Sequence, residues 1–259
     1  MAGRAILKVE ALAKTFSGGV EAVSDVSFAA GPGELVVLVG ESGCGKTTTL
    51  KCVNRLLEPS AGRIEIDGED IGGLDPVALR RRIGWVMQGD GLFPHYTVFQ
   101  NIAVVPRLLG WAPDRIADRV MELLELVRLE PAEFAHRKPS HLSGGQRQRV
   151  GVARALASGP GLMLMDEPFG ALDPITRDGL REDVVALQAE LQFAAVMVTH
   201  DMAEALLLAT RIAVMHEGAV IQYDTPERLL ADPADARVLR MLESPVREAR
   251  RIAGLRSGA

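Results

Sequence analysis

Apolar and polar positions along this chain follow two rhythms. Leu35-Val36-Val37-Leu38-Val39 is a continuous apolar run that stops at Gly40, the pattern of a strand covered on both faces. Similar runs at Leu162–Met165, Ala194–Val198 and Ile212–Met215 are separated by helical patterns, so all four are expected in one helix-covered sheet. Ile116, Val120, Leu123, Leu124 and Val127 recur at helical spacing, as do Leu180, Val184, Leu187 and Leu191; both segments predict amphipathic helices that pack on one face. From Gln88 to Gly159 helical pattern dominates and no sheet-like run occurs. The chain is therefore expected to form a single domain over 1–245, with an α/β core at about 1–87 and 160–245 and an inserted helical subdomain at about 88–159. Glu217-Gly218 separates two apolar runs as a hairpin turn would, and Thr225-Pro226-Glu227 offers an N-cap with proline at the first helical position. The segment 246–259 gathers Arg247, Arg250, Arg251 and Arg256 among small residues and is expected to fray as a solvated tail. There is no internal repeat.

Composition narrows the compartment more than the chemistry. The 259 residues, 47% of them hydrophobic, suffice for a large core. Cys44 and Cys52 form neither an extracellular disulfide pattern nor a zinc-ligand spacing, which fits a reducing cytoplasm. The start from Met1 to Lys8 lacks the features of a signal peptide, and charges interrupt every apolar run before it could cross a bilayer; a membrane role is expected to come through partners. The net charge of −5 disfavours general nucleic-acid binding, and no nucleic-acid partner is expected.

Three segments carry candidate chemistry. Gly40-Glu41-Ser42-Gly43-Cys44-Gly45-Lys46-Thr47 matches the phosphate-binding loop and sits between an apolar strand and a helix, the context that loop requires. Its glycines let backbone N–H groups converge on phosphate, Lys46 can reach the β- and γ-oxygens, and the Thr47 hydroxyl can ligate Mg²⁺. Next, Leu162–Met165 leads into Asp166-Glu167 at a strand's carboxyl end, where parallel sheets bind ligands. Asp166 is expected to hold Mg²⁺, and Glu167 to polarise the water that attacks a γ-phosphate. Taken alone the pair could equally be an exposed acidic turn. Last, Leu142-Ser143-Gly144-Gly145-Gln146 precedes a helix expected from Gln146 to Ala157, and forms either an ordinary capped helix start or a second anion site. One nucleotide is already served by Gly40–Thr47, so a second site could receive phosphate from a neighbour's ATP. Arg147 and Arg149 read as a solvated helical face.

With these parts in order, the chain resembles ABC-transporter ATPase subunits over nearly its whole length, and Leu142–Gln146 is the motif specific to that superfamily. The resemblance implies an α/β P-loop NTPase (RecA-like) core with a mostly parallel sheet, an N-terminal antiparallel β portion and an inserted helical subdomain. It implies ATP and Mg²⁺ as ligands, with Thr48 completing the loop, Phe16 stacking on adenine, and Gln88 sensing Mg²⁺ and the attacking water. It places Asp173, in Ala171-Leu172-Asp173, at a dimer contact and His200 at the γ-phosphate. From position alone, Phe16 could also be a core aromatic and His200 a strand-end residue serving only the fold. The implied assembly is a homodimer, or a pair with a similar ATPase, bound to integral permease subunits on the cytoplasmic face of a bacterial cell membrane, with a separate solute-binding protein. A non-transport ABC ATPase would share these motifs, but such relatives usually add coiled coils, zinc modules or a second cassette, and a regulatory P-loop domain without turnover would lack Glu167.

The segment Gly91–Val98, continued in Asn101–Trp111, resembles osmoprotectant-uptake ATPases and implies import of quaternary-ammonium solutes such as glycine betaine, choline or carnitine; other amine or amino-acid importers share parts of it. Phe93, Tyr96 and Val98 are expected either to form an apolar contact with the membrane partner or to belong to the core. Because the sequence ends at Ala259, without the paired regulatory domains some osmoprotectant ATPases carry, direct salt sensing is not expected.

Overall fold

A computed structural model describes residues 5–89, 91–170 and 172–257. Ala171 and the last two residues, Gly258 and Ala259, lie outside the described residues, as do the first four. Strands β1 (Leu7–Thr15), β2 (Glu21–Ala30) and β3 (Leu35–Val39) lead through the glycine loop into helix α1 (Lys46–Val53). Strands β4 (Ala61–Ile66) and β5 (Glu69–Asp70), helix α2 (Pro76–Arg82) and strand β6 (Ile83–Val86) follow. A purely helical stretch then holds α3 (Val98–Ile102), α4 (Val104–Leu108), α5 (Pro113–Leu126), α6 (Pro131–Phe134) and α7 (Gly144–Leu156). After it come β7 (Leu162–Asp166), α8 (Pro174–Leu191), β8 (Ala194–Thr199), α9 (Met202–Leu208), β9 (Arg211–His216), β10 (Ala219–Asp224), α10 (Pro226–Ala231) and α11 (Ala236–Ser257).

All ten strands join one mixed sheet in the order β5-β4-β1-β2-β10-β9-β3-β8-β7-β6. Its half from β9 to β6 is parallel, and β1, β2, β4 and β5 pair antiparallel. The apolar runs are continuous because both faces are covered. On β3, Leu35, Val37 and Val39 face a core shared with α5, α7, α8 and α9, while Val36 and Leu38 face the core around α1 and the antiparallel strands. The other inner strands alternate in the same way, for example Met163 and Met165 against Leu162 and Leu164.

The helical stretch closes no core of its own. Ile102, Val120, Leu123 and Leu124 belong to the cluster that holds Val37, Val39 and Met165; α3 and α5 pack on α7, and α7 packs against β6. The Glu217-Gly218 turn joins β9 to β10 with both residues at positive φ (45° and 84°), and Thr225 caps α10 by accepting a hydrogen bond from the Arg228 N–H.

One expectation is corrected, and one pair of alternatives is decided for Val98. The segment after Val246 does not fray at once, because it continues α11, which passes through Pro245 to Ser257. Val238 and Leu242 anchor that helix in the main core, so its seat lies upstream of the arginine-rich stretch. Val98 is fully buried and belongs to the core, so it offers no contact to a partner; Phe93 and Tyr96 lie nearer the surface, in a small aromatic cluster with His95.

Candidate functional site

The site is built at the carboxyl ends of β3, β7 and β8. The glycine loop turns back under β3 because its glycines can do what other residues cannot. Gly45 sits at φ 100° and a Cβ there would overlap the Ala22 carbonyl at the start of β2. Gly45 is also the N-cap of α1, where no side chain caps the helix, so the first N–H groups keep their hydrogen-bonding capacity for a ligand. Cys44, Gly45 and Lys46 are buried, whereas Glu41, Ser42 and Gly43 line the open side and Thr48 is half-buried. The Lys46 ammonium donates to the Gly40 carbonyl (2.7 Å) and the Glu41 carbonyl (2.9 Å), which holds it inside the loop it is expected to serve.

The Thr47 hydroxyl donates to Asp166 Oδ1 at 3.1 Å, joining the loop to the end of β7. Burial, more than any other influence, holds the Asp166 carboxyl above its ordinary range, and the Glu167 charge adds to the rise. The Thr47 hydrogen bond and the ammonium groups of Lys51 and Lys46 oppose it. A hydroxyl and a carboxylate oxygen side by side suit Mg²⁺, which takes few protein oxygens and completes its shell with water and phosphate. The donor set fits that ion.

Glu167 follows Asp166 in a left-handed conformation (φ 44°), with its N–H bonded to the Val198 carbonyl at 3.0 Å. A non-glycine residue held there is an outlier that a functional site can maintain. Its carboxylate is held from both sides: Gln88 Nε2 donates to Oε2 and His200 Nδ1 meets Oε1, each at 3.2 Å. Gln88 comes from just beyond β6 and His200 from the end of β8. His200 can donate to this oxygen only in a form that carries a proton on Nδ1. Two residues widely separated in sequence, Gln88 and His200, thus converge on the Glu167 carboxylate.

The second glycine segment differs from the first. Ser143 is the N-cap of α7 and forms a reciprocal capping box with Gln146: its hydroxyl accepts from the Gln146 N–H (3.3 Å) and its N–H donates to Gln146 Oε1 (2.8 Å). Ser143 and Gly144 are exposed, while Leu142 is buried beneath them. Gly145 is buried against α8, where a Cβ would overlap Thr176 Cγ2. Asp173 caps α8 through the Thr176 N–H, and hydrogen bonds from Thr176 hold its carboxyl below the usual range.

Phe16 is no core aromatic: it is 38% exposed in the β1–β2 connection, with the Lys14 ammonium 5.5 Å from its ring centre. Arg147 and Arg149 are also corrected. Arg147 donates to the Leu142 carbonyl at 2.7 Å, and Arg149 donates to the Val127 carbonyl and pairs with Asp183, so neither is a solvated face.

Residues that the sequence did not single out support this arrangement. Asp201 caps α9 through the N–H groups of Ala203 and Glu204, fixing the turn that carries His200. The Arg181 guanidinium donates to Glu204 at 2.7 and 3.1 Å, tying α8 to α9 next to the Glu167–His200 pair. Asp201 had a local signal, an acidic residue opening a helix; Arg181 and Glu204 had none, because their pairing spans two elements.

The doubly covered sheet, the loop on α1 and the carboxylate-tipped β7 together define a P-loop NTPase cassette. The ABC transporter family matches residues 23–170. The chain belongs to the ABC transporter family. Choline transport ATP-binding protein OpuBA of Bacillus subtilis (strain 168) is 54% identical over 230 residues, covering 89% of this chain and 60% of its own length. Glycine betaine uptake system ATP-binding protein YehX of Escherichia coli (strain K12) is 49% identical over 218 residues, covering 84% of this chain and 70% of its own length. Among solved structures, the dimeric post-hydrolysis state of the ATP-binding cassette MJ0796, bound to ADP and Pi, superposes with a TM-score of 0.75 at 33% identity, over 85% of this chain and 98% of that one. The chain spans about three fifths of the length of OpuBA.

Proposed function

We propose that this chain is the ATP-binding and ATP-hydrolysing subunit of an ABC import system, and that two copies close on two nucleotides to drive solute uptake. The observation that carries this reading is the convergence of Gln88 and His200 on Glu167, directly beyond the Thr47–Asp166 pair. Gly40–Thr48 cradles the triphosphate, Lys46 turns from the loop carbonyls to the β- and γ-oxygens, and Phe16 stacks on adenine. Glu167 takes a proton from the attacking water at a carboxylate oxygen; Gln88 and His200 hold that carboxylate, and His200 also reaches the γ-phosphate. Mg²⁺, held by Thr47 and Asp166 and sensed by Gln88, would neutralise charge on the β/γ-phosphates when bound. Ser143–Gly145 and Asp173 meet the partner chain, with Leu142 and Gln146 supporting the α7 end. The helical stretch at about 88–159 acts as the subdomain that passes closure to permease subunits.

Among the described residues no helix is long and apolar enough to cross a membrane. A peripheral place on the cytoplasmic face, beneath separate permeases, follows from that reading. The solute class we infer is a quaternary-ammonium osmoprotectant, delivered by a separate binding protein; the likeness to a choline transport and a glycine betaine uptake ATP-binding protein supports it.

Two measurements test the proposal in turn. Phosphate release by the purified chain with Mg-ATP should be abolished by Glu167→Gln while ATP binding is kept; undiminished release would remove the assigned base. Uptake of labelled glycine betaine, choline and carnitine at high osmolarity should fall on deletion of the gene. Normal uptake of all three, with loss of another solute, would overturn the solute class and leave the ATPase reading standing.

A further inference from the structure

A buried ion cluster lies outside the site described above. Asp183, in the middle of α8, has only 2% of its side chain exposed. One carboxylate oxygen meets Arg149 Nη2 at 2.6 Å and the other meets Arg128 Nε at 2.9 Å. Arg149 belongs to α7, the helix that opens with Gly144, and its Nη1 donates to the Val127 carbonyl at 2.7 Å. Arg128 lies just past the end of α5, in a left-handed conformation (φ 56°). One carboxylate and one guanidinium therefore tie three helices together.

Sliding α7 along α8 would draw Arg149 away from a deeply buried carboxylate, and separating such a pair is costly. Nearer the site the same helices meet sterically, since Gly145 of α7 touches Thr176 of α8 at a distance that leaves no room for a Cβ. The steric crossing and the ion cluster lie about two turns apart on α8. Together they fix both the spacing and the register of the two helix starts. One start presents Ser143–Gly145; the other begins at Asp173, at the end of the segment leaving Glu167.

We propose that Arg149 and Asp183 are positioning residues that lock α7 to α8, so that the Ser143–Gly145 end, which serves a second chain's nucleotide, moves as one body with the Glu167–Asp173 segment of its own site. This rests on the reading that the two ends act on different nucleotides. Its consequence is that closure onto one nucleotide is felt at the other through a rigid helix pair.

The test uses the Glu167→Gln chain as parent, with dimer formation followed by light scattering against ATP concentration in the presence of Mg²⁺. Nucleotide affinity of the single chain is read with a fluorescent ATP analogue below the dimerising concentration, and the melting temperature is measured alongside. Adding Asp183→Asn should leave single-chain affinity within about twofold yet raise the ATP needed for half-dimerisation roughly tenfold, as expected for coupled neighbours in one ion network. Arg149→Met, which leaves Asp183 its Arg128 partner, should do the same and carries the test if Asp183→Asn does not fold. The double variant should be no worse than the more affected single one. Dimerisation at the parent's ATP concentration, with or without a lower melting temperature, would overturn the positioning role. A parent that fails to dimerise with ATP would overturn the shared-site reading itself.

Discussion

The two glycine-bearing helix starts look alike in sequence and are built for different tasks. At Gly40–Thr47 the glycines enforce an unusual backbone, no side chain caps α1, and a buried lysine lies within the loop. At Ser143–Gly145 the N-cap is already engaged in its own capping box, Ser143 and Gly144 are exposed, and the Arg147 cation beside them is held on the Leu142 carbonyl. The first has the build of a phosphate cradle. The second is a finished helix end whose proposed role depends on phosphate brought to it by another chain, and Gly145 leaves room for α8, which lies against it. A glycine can serve a ligand or a neighbouring helix, and the residues around it decide which.

The largest effect expected separates catalysis from both ends. Glu167→Gln leaves the cradle and the α7 start intact, so ATP should bind normally while turnover falls by about 10²–10⁴-fold, the usual range for a positioned base. Steady-state phosphate release and equilibrium nucleotide binding check this together. Lys46→Ala breaks the cradle alone and should lower kcat/KM by about 10²–10³-fold, the scale of one preorganised charge, with weaker nucleotide binding in the single chain. Gly145→Ala breaks the other end: its methyl group overlaps Thr176 Cγ2, which should destabilise the α7–α8 contact by about 1–3 kcal/mol, read as a lower denaturant midpoint, while single-chain ATP affinity is retained. Phe16→Ala should only tune the cradle, weakening ATP binding by about 0.5–1.5 kcal/mol if the exposed ring stacks on adenine; an unchanged affinity would remove that role.

Legibility in the sequence tracked how local each device is. The cradle was readable because strand, glycine loop and helix are contiguous, and the inner strands because both faces of the sheet are covered. The Glu217-Gly218 hairpin and the Thr225 cap were readable for the same reason. Arg149 was misread as solvated because its partner Asp183 lies on another helix, and nothing in the spacing of charges along α7 announces a partner brought in by tertiary packing. The tail was misread because arginines among small residues suggest a solvated end, whereas α11 is seated upstream by Val238 and Leu242 and continues through the arginines. The sequence left Val98 open between a partner contact and the core, because its neighbours Phe93 and Tyr96 are aromatic; it opens α3 with its side chain in the core. For Glu167, the proposed base, its place at a strand end was readable, but only the fold brought Gln88 and His200 to its two oxygens.

The central claim is that a working site needs the cradle of one chain and the α7 start of another. It is tested most directly by mixing two inactive variants, Lys46→Ala and Ser143→Arg, and measuring ATP hydrolysis of the mixture. Each alone spoils both sites of its own dimer. In the mixed dimer, the intact cradle of the Ser143→Arg chain faces the intact Ser143 of the Lys46→Ala chain, so one site is whole and hydrolysis should return. A mixture as inactive as its components, with mixed dimers shown to be present, would contradict the shared site.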